Sequence, residues 1–162
     1  MKIRAYQPQD EQAVIALWQA CGLTRPWNDP GRDIARKLTE QPELFLVGTL
    51  EAAVVATAMV GFDGHRGWMN YLAVAPQLQG KSFGRTLVRE AERLLTERGC
   101  PKLNLQVRSS NAQAIEFYRR LGYTQDEVVS FGRRLIPDGD TRSASPQAAT
   151  IPTPFQTSPK LS

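Results

Sequence analysis

The loop around Gly80 has residue types and a spacing that could bind a phosphate group. Residues 75–82 read APQLQGKS and match the looser form of the Walker phosphate loop, with Ala in place of the first Gly. In such a loop the backbone N–H groups and the positive end of the following helix dipole point at one anion. The loop therefore predicts an anion site. Its own residues leave open whether the anion belongs to a nucleoside triphosphate or to another phosphate ligand.

A Walker nucleotide site needs more groups than this loop contains. Lys81 would reach the β- and γ-phosphates, Ser82 would bind Mg²⁺, and an acidic residue would end a further strand. The only apolar run that ends in Asp leads to Asp63, which precedes the loop and enters a turn. Gly84 has no role in a Walker loop, whereas a small residue there lets the helix approach a pyrophosphate closely. These features favour a pyrophosphate cradle over an ATP–Mg²⁺ site.

The elements that position the loop follow from changes in the hydrophobic period along the chain. Their order predicts an α/β or α+β layered domain with a central mixed sheet and about four helices. The predicted strands are 2–6, 44–50, 53–62, 68–74, 102–107 and 128–135, and the predicted helices are 8–21, one from about 30, 84–98 and 111–121.

The composition predicts one folded domain followed by a tail. The chain has 162 residues, of which 41% are hydrophobic and 22% charged, and no apolar run approaches the roughly 20 residues that cross a bilayer. Residues 137–162 are rich in Pro, Ser and Thr, so we expect a disordered tail there and a folded domain over 1–136. A polar N-terminus and two cysteines without metal or redox spacing indicate a cytoplasmic protein without a metal site or a membrane partner.

The charge pattern argues against a nucleic-acid partner. The formal net charge of +4 suits an anionic ligand, but basic residues alternate with acidic ones, as in Arg89-Glu90 and Glu92-Arg93. Nucleic-acid-binding proteins usually gather Lys and Arg in a block or stripe, and this chain has none.

Two segments together resemble the hallmark motifs of the GNAT superfamily of acetyl-CoA-dependent N-acetyltransferases. The first is YLAVAPQLQGKSFGRTL at 71–87, and the second is NAQAIEFYRRLGY at 111–123. The stretches RPWNDP, FDGHRG, RGCPK and FGRRL are similar to small bacterial YpeA-type acetyltransferases within that superfamily. The resemblance covers about residues 1–136 and implies a GNAT fold. It also implies transfer of an acetyl group from acetyl-CoA to a primary amine of a protein, peptide or small molecule, by direct attack on the thioester.

The resemblance implies which residues bind acetyl-CoA. Backbone amides of the loop bind the pyrophosphate, and the strand before the loop pairs with the pantetheine arm as a neighbouring strand would. Ser82 departs from the family pattern, in which Gly or Ala is usual, and Lys81 and Arg85 are equally well read as solvated cations. Asn111 is implied to face the pantetheine region and is also a favoured helix N-cap. The implied cofactor-binding residues are Leu72, Ala73, Val74, Gln79, Gly80, Lys81, Ser82, Phe83, Gly84, Arg85 and Asn111.

The resemblance also implies a catalytic acid. Tyr118 matches the tyrosine that protonates the departing thiolate, although its helical spacing also suits a core aromatic. No general base is evident, because 68–71 and 104–107 contain no carboxylate. Glu43, Asp29 and Tyr71 are the candidate proton acceptors, and His65 reads as a turn residue.

The stretch LTRPWNDP at 23–30 is predicted to border the acceptor site. Trp27, Asn28, Asp29 and Tyr71 are the candidate substrate-binding residues, with Asp29 suited to pair with an amine. Alternatively, Asp29 and Pro30 simply begin a helix. A non-catalytic acyl-CoA-binding domain is the alternative function, and the sequence is compatible with a monomer or a homodimer.

Overall fold

A five-stranded mixed sheet forms the centre of the protein, in a computed structural model that describes residues 1–138. The elements are β1 Lys2–Ala5, α1 Glu11–Ala20, α2 Pro30–Thr39, β2 Phe45–Leu50, β3 Ala53–Phe62, β4 Gly67–Val74, α3 Phe83–Glu97, β5 Leu103–Leu105 and α4 Ala112–Arg120, with short 3-10 helices at Pro8–Asp10, Pro42–Leu44 and Pro76–Leu78. The strands lie in the order β1-β2-β3-β4-β5, and only β4 and β5 are parallel. That parallel pair requires a crossover, which α3 provides.

Apolar side chains on both faces of the sheet form two cores, which is why β2 and β3 read as nearly continuous apolar runs. One core packs α1 and α2 against the sheet around Trp18, Ile34 and Phe45, all at most 1% exposed. The other packs α3 through Leu87 and Leu95 at helical spacing. The predicted layered fold is thereby confirmed.

The predicted helix 8–21 begins with a different geometry. Pro8–Asp10 is a 3-10 turn, and α1 starts at Glu11. Asp10 accepts two hydrogen bonds from the Arg4 guanidinium at 2.6 and 2.8 Å and one from the Gln7 amide at 2.9 Å. These bonds lower the pKa of Asp10, the Arg4 bond most of all. The pair ties β1 to the start of α1.

The prediction of a strand at 128–135 is wrong. The chain from Tyr123 to Asp138 contains neither helix nor strand, and Val128, Val129 and Phe131 are more than three-quarters exposed. Only side chains tie this segment to β5, with Lys102–Asp126 and Gln106–Ser130 bonds of 2.6 Å each. A strand needs a neighbour that supplies backbone hydrogen bonds, and β5 is only three residues long.

The predicted tail falls almost wholly on residues 139–162, which lie outside the described residues. Among residues 1–138, no helix is both long and apolar enough to cross a membrane.

Candidate active site

A gap opens between β4 and β5 where their pairing stops. The two strands pair only over Gly67–Met69 and Leu103–Leu105, and β4 then continues to Val74 paired with β3 but not with β5. Ala75 donates to the Val55 carbonyl at 2.8 Å, so alternation along the strand directs the N–H and C=O of Val74 away from β3. The Val74 carbonyl already accepts from Gln79 and Cys21, so the N–H is the Val74 group that the end of β4 offers to a ligand lying in the gap.

A bulge in β4 marks the beginning of this gap. The register between β3 and β4 shifts between Thr57 and Met59, and Tyr71 adopts a left-handed φ of 50°. The Thr57 hydroxyl donates to the Tyr71 carbonyl at 3.0 Å and accepts from Trp18 Nε1 at 2.9 Å. Because Thr57 and Trp18 are fully buried, this chain of hydrogen bonds holds the bulge against α1.

The loop after β4 leads directly into the first turn of α3. Gly80 has a φ of 78°, which glycine adopts without steric cost, and Ser82 takes the same left-handed region at 65°. Ser82 makes no side-chain cap bond, and its carbonyl accepts from the Thr86 amide at 3.0 Å. The first N–H groups of α3 thus have no intrahelical partner, and they lie at the positive end of the helix dipole.

Gly84 is closely surrounded by side chains of α4 and β4, which the sequence did not predict. A Cβ there would lie 3.2 Å from Phe117 Cζ and 3.7 Å from Val74 Cγ2, so its absence brings α3 close to α4 and β4. Gln79 lies at the same junction, where its Nε2 donates to the Val74 carbonyl at 3.1 Å.

Helix α4 begins with the predicted cap and carries Tyr118 into the core beneath α3. The Asn111 side chain accepts from the Ala114 amide at 3.1 Å. Tyr118 packs edge-on against Phe117 and Tyr123 at 5.0 and 5.6 Å between ring centroids. Burial raises the pKa of Tyr118 to about 12, so the hydroxyl stays protonated at neutral pH.

Tyr71 lies on the face of the sheet that α1 and α2 cover, and of the other acceptor-side candidates Asn28 contacts it. Tyr71 stacks on Trp18 with 3.9 Å between ring centroids, and its hydroxyl donates to Asp33 Oδ2 at 2.6 Å. Burial first, and then the Asp33 carboxylate, raise the pKa of Tyr71 to about 12. Asn28 accepts from Arg134 at 2.8 Å, and Asp29 caps α2 by accepting from the Arg32 amide at 3.1 Å.

Trp27 lies in the loop before α2 and is 55% exposed. Other candidates from the sequence lie away from the gap. Glu43 pairs with Arg98 at 3.0 Å, beyond the C-terminal end of α3 and therefore remote from the loop at its N-terminus. His65 occupies the turn between β3 and β4, where its amide donates to Asp63. Asp63 also accepts from the Arg66 amide and Trp68, so it is committed to the turn and is not placed as a Walker carboxylate.

Asp33 is the functional candidate that the sequence analysis missed. It immediately precedes Ile34, the buried residue of α2, so its side chain lies at the border of the buried face. The sequence could have indicated this border position, because it follows from the helical period around Ile34. Nothing in the sequence, however, places α2 beside Tyr71. Among the described residues, no three His, Cys, Asp or Glu side chains form a group that could bind a metal ion.

Comparison with known proteins identifies the family. The profile of the Acetyltransferase (GNAT) family matches residues 10–123. An acetyltransferase of Yersinia enterocolitica is 47% identical over 138 residues, covering 85% of this chain and 98% of the relative. The chain belongs to the GNAT family of acetyltransferases. An acetyltransferase of Sodalis glossinidius is likewise 47% identical over 139 residues, with the same shares of each chain covered.

Solved structures confirm the GNAT fold. Ard1 from Thermoplasma volcanium superposes with a TM-score of 0.69 at 26% identity, over 76% of this chain and 82% of its own. The ribosomal-protein-S18-alanine N-acetyltransferase of Escherichia coli superposes with a TM-score of 0.65 at 25% identity, over 77% and 78%. This GNAT protein is therefore an acetyltransferase, and the mixed sheet with four helices is the frame of its site.

Proposed function

We propose that this GNAT acetyltransferase moves an acetyl group from acetyl-CoA to a primary amine, by direct attack of the amine on the thioester. The observation that carries the proposal is the parting of β4 from β5, which leaves the end of β4 open immediately before the loop and α3. One continuous stretch of backbone can then pair with an amide-containing arm and bind a phosphate at its end.

The residues present fit acetyl-CoA, which supplies the acetyl group as an activated thioester. Amides from Gln79 to Arg85 bind the pyrophosphate, where the left-handed Gly80 and Ser82 form the turn into α3. Lys81 and Arg85 are exposed beside this turn and add positive charge. Leu72, Ala73 and Val74 form the strand end that pairs with the pantetheine arm, and Asn111 borders it from the start of α4.

Two groups of this chain act on the reacting atoms in the proposal. The outward N–H of Val74 donates to the thioester oxygen as negative charge develops on it. Tyr118 donates a proton to the departing sulfur, so that free CoA leaves as a thiol. No covalent enzyme intermediate is needed. Cys21 lies close by, but its thiol donates to the Val74 carbonyl at 3.3 Å and burial raises its pKa, which makes it a poor nucleophile.

The acceptor is proposed to enter between α2, the 24–29 loop and Tyr71. Trp27, Asn28 and Asp29 border this entrance. The E. coli structural relative is named for acetylating an alanine of a ribosomal protein, which supports an amine on a peptide or protein among the possible acceptors. Small polar amines fit the same open entrance.

Thermal unfolding of the wild-type chain with acetyl-CoA, CoA or ATP–Mg²⁺ tests the first half of the proposal. A ligand at 100 times its Kd adds about 2.7 kcal/mol of stability. For a domain of this size that corresponds to a rise of about 5–10 °C in Tm. Both acetyl-CoA and CoA should raise Tm. A rise with ATP–Mg²⁺ alone would indicate instead that the loop is a Walker nucleotide site.

Release of free CoA thiol in the presence of an amine panel tests the second half. The panel contains an alanine-initiated peptide, a lysine-containing peptide blocked at its N-terminus and small diamines. Amine-dependent thiol release supports the N-acetyltransferase. Tight CoA binding without transfer to any of these amines supports the non-catalytic acyl-CoA-binding alternative instead.

A further inference from the structure

The carboxylate of Asp33 lies beside the proposed entrance for the acceptor and is only partly occupied. Its Oδ2 accepts from the Tyr71 hydroxyl at 2.6 Å, and its Oδ1 accepts from Arg36 Nη1 at 3.0 Å. An ionised carboxylate has about four lone-pair positions, so two of them remain for other donors. The Asp33 side chain is 19% exposed, which leaves a route to it from solvent.

The Arg36 guanidinium neutralises the charge of Asp33 only in part. Arg36 also donates through both of its terminal nitrogens to Asp138, so one guanidinium is shared between two carboxylates. The side chain of Asp138 is 3% exposed, whereas that of Arg36 is half exposed. This shared arrangement leaves Asp33 with negative charge to offer to a ligand.

Tyr71 holds the Asp33 carboxylate in one position relative to the gap. Tyr71, the left-handed residue of the bulge, is held in place because its ring stacks on Trp18 and its carbonyl accepts from the Thr57 hydroxyl. At about 3.3 Å per residue, the Tyr71 backbone lies roughly 10 Å along β4 from Val74, whose N–H is the proposed oxyanion donor. Tyr71 therefore belongs to the same end of β4 as the proposed oxyanion donor, three residues before it.

We propose that Asp33 and the Tyr71 hydroxyl form an ammonium-binding subsite, which selects primary amines that arrive as cations. The proposal rests on the proposed N-acetyltransferase function and names its acceptor class. Asp33 accepts a charge-assisted hydrogen bond from the ammonium group, and the Tyr71 oxygen accepts a second through the lone pair that Asn28 does not use.

The subsite recognises the amine and does not serve as the final proton acceptor. A carboxylate is a much weaker base than an alkyl amine, so the proton leaves to solvent through the open entrance. The reaction balances as ammonium plus acetyl-CoA giving amide, free CoA thiol and one solvated proton. The C–N bond forms while the C–S bond breaks.

The test compares Asp33→Asn with the wild type on two acceptors at pH 7. One is an alanine-initiated peptide amide, which is cationic, and the other is aniline, which is neutral. An Asn keeps the size of the side chain and still accepts from Tyr71, but it lacks the charge. We expect KM for the peptide to rise about tenfold to a hundredfold with kcat within about threefold, since hydrogen bonds to charged groups carry the larger energies. KM for aniline should stay unchanged.

Two further variants separate recognition from folding. Tyr71→Phe keeps the ring on Trp18, removes one acceptor of the ammonium and should raise KM for the peptide about threefold to tenfold. Glu97→Gln removes a carboxylate that pairs with Arg93 at the far end of α3, so it should change neither KM. Thermal unfolding of each variant reports any loss of folded protein.

The outcomes distinguish the subsite from the enzyme. If the wild type acetylates neither acceptor nor any amine of the wider panel, the proposed function fails and the subsite fails with it. If the wild type is active and Asp33→Asn leaves KM for the peptide unchanged, or raises both KM values equally, only the subsite is overturned. Where Asp33→Asn does not fold, Tyr71→Phe decides by the same comparison.

Discussion

Thr57 lies on β3 with its side chain fully buried, and its hydroxyl joins α1 to the bulge of β4. Its donor and one of its two acceptor lone pairs are used, so Trp18 Nε1 and the Tyr71 carbonyl are each satisfied through the same oxygen. The Tyr118 hydroxyl differs from that of Thr57 because no hydrogen bond contributes to its raised pKa, and burial is the sole cause. One hydroxyl is thus committed to structure, while the other remains free to act on a ligand.

Thr57→Val should destabilise the fold. The replacement keeps the shape but leaves the Trp18 N–H and the Tyr71 carbonyl without their partner, at about 1–3 kcal/mol for each buried group. We expect the free energy of unfolding, measured by urea denaturation, to fall by about 2–4 kcal/mol. Thr49→Val is the matched control, because Thr49 is also buried but its hydroxyl lies 3.5 Å from the nearest acceptor, the Lys2 carbonyl. Equal losses in the two variants would contradict the role of Thr57.

Tyr118→Phe should lower kcat about tenfold to a hundredfold and leave acetyl-CoA binding unchanged, because only the proton donor is removed. The reduction is modest since a phenol whose pKa is about 12 is a weak acid toward a thiolate. Burial disfavours the phenolate, so Tyr118 itself should cause no loss of rate until the pH approaches about 12.

Tyr123→Phe is the control for the Tyr118 variant, since Tyr123 belongs to the same aromatic cluster and its hydroxyl donates to Glu92 at 2.7 Å. It should reduce stability without reducing kcat. A wild-type rate profile that falls with an apparent pKa near 10, and loses that fall in Tyr118→Phe, would show that burial does not raise the pKa of Tyr118 as described.

The packing of α3 on the sheet determines where the parallel pairing of β4 with β5 begins. The parallel pairing begins at Gly67, whose amide donates to the Lys102 carbonyl at 2.9 Å. A Cβ at Gly67 would lie 2.7 Å from Leu95 Cδ1 and 3.0 Å from Cys100 Sγ. The helix, the turn after it and the first residue of the strand therefore meet at one point, which allows no side chain.

Gly67→Ala should destabilise the protein by about 1–3 kcal/mol, which is the usual cost of overpacking a filled core. Because the added methyl pushes α3 away from β4, the variant should also bind acetyl-CoA more weakly. Thermal unfolding with and without acetyl-CoA measures both effects. Gly61→Ala is the strand control, since its Cβ would meet only Gln41 at 3.8 Å. A destabilisation of Gly61→Ala as large as that of Gly67→Ala would contradict the packing argument.

Over the whole molecule, the last described segment runs from the β5 side of the sheet to α2. Lys102 binds Asp126 near its start, while Arg134 binds Asn28 and Asp138 binds Arg36 near its end. These are side-chain contacts at the protein surface, where ion pairs and single hydrogen bonds contribute little to stability. The two cores involve residues no later than Tyr123. The segment therefore contributes more to the borders of the acceptor entrance than to folding.

Chains shortened after Asp138 and after Gly132 should have Tm values within a few degrees of the full chain and should bind acetyl-CoA equally well. The chain that ends at Gly132 loses the Arg134 and Asp138 contacts, so its KM for a peptide amine should change at least threefold. The chain that ends at Asp138 should keep the full-length KM. Identical KM values in both shortened chains would show that the segment does not border the acceptor.

The sequence by itself determined most of the elements and the loop that we propose binds an anion. Hydrophobic period, caps such as Asn111 and the left-handed Gly80 are local properties, so they could be read without knowing the fold. The two motifs at 71–87 and 111–123, taken together, were also sufficient to identify the family. The strand predicted at 128–135 failed for a non-local reason, because its apolar residues have strand propensity but β5 offers no backbone partner.

Only the tertiary structure decided which side chains share the site. Asp33 and Tyr71 are far apart in the sequence and meet because α1 and α2 cover one face of the sheet while a bulge turns Tyr71 toward them. The bulge itself depends on Thr57 and Trp18, which belong to different elements. Such pairings arise from packing across the chain, and no local period or spacing encodes them.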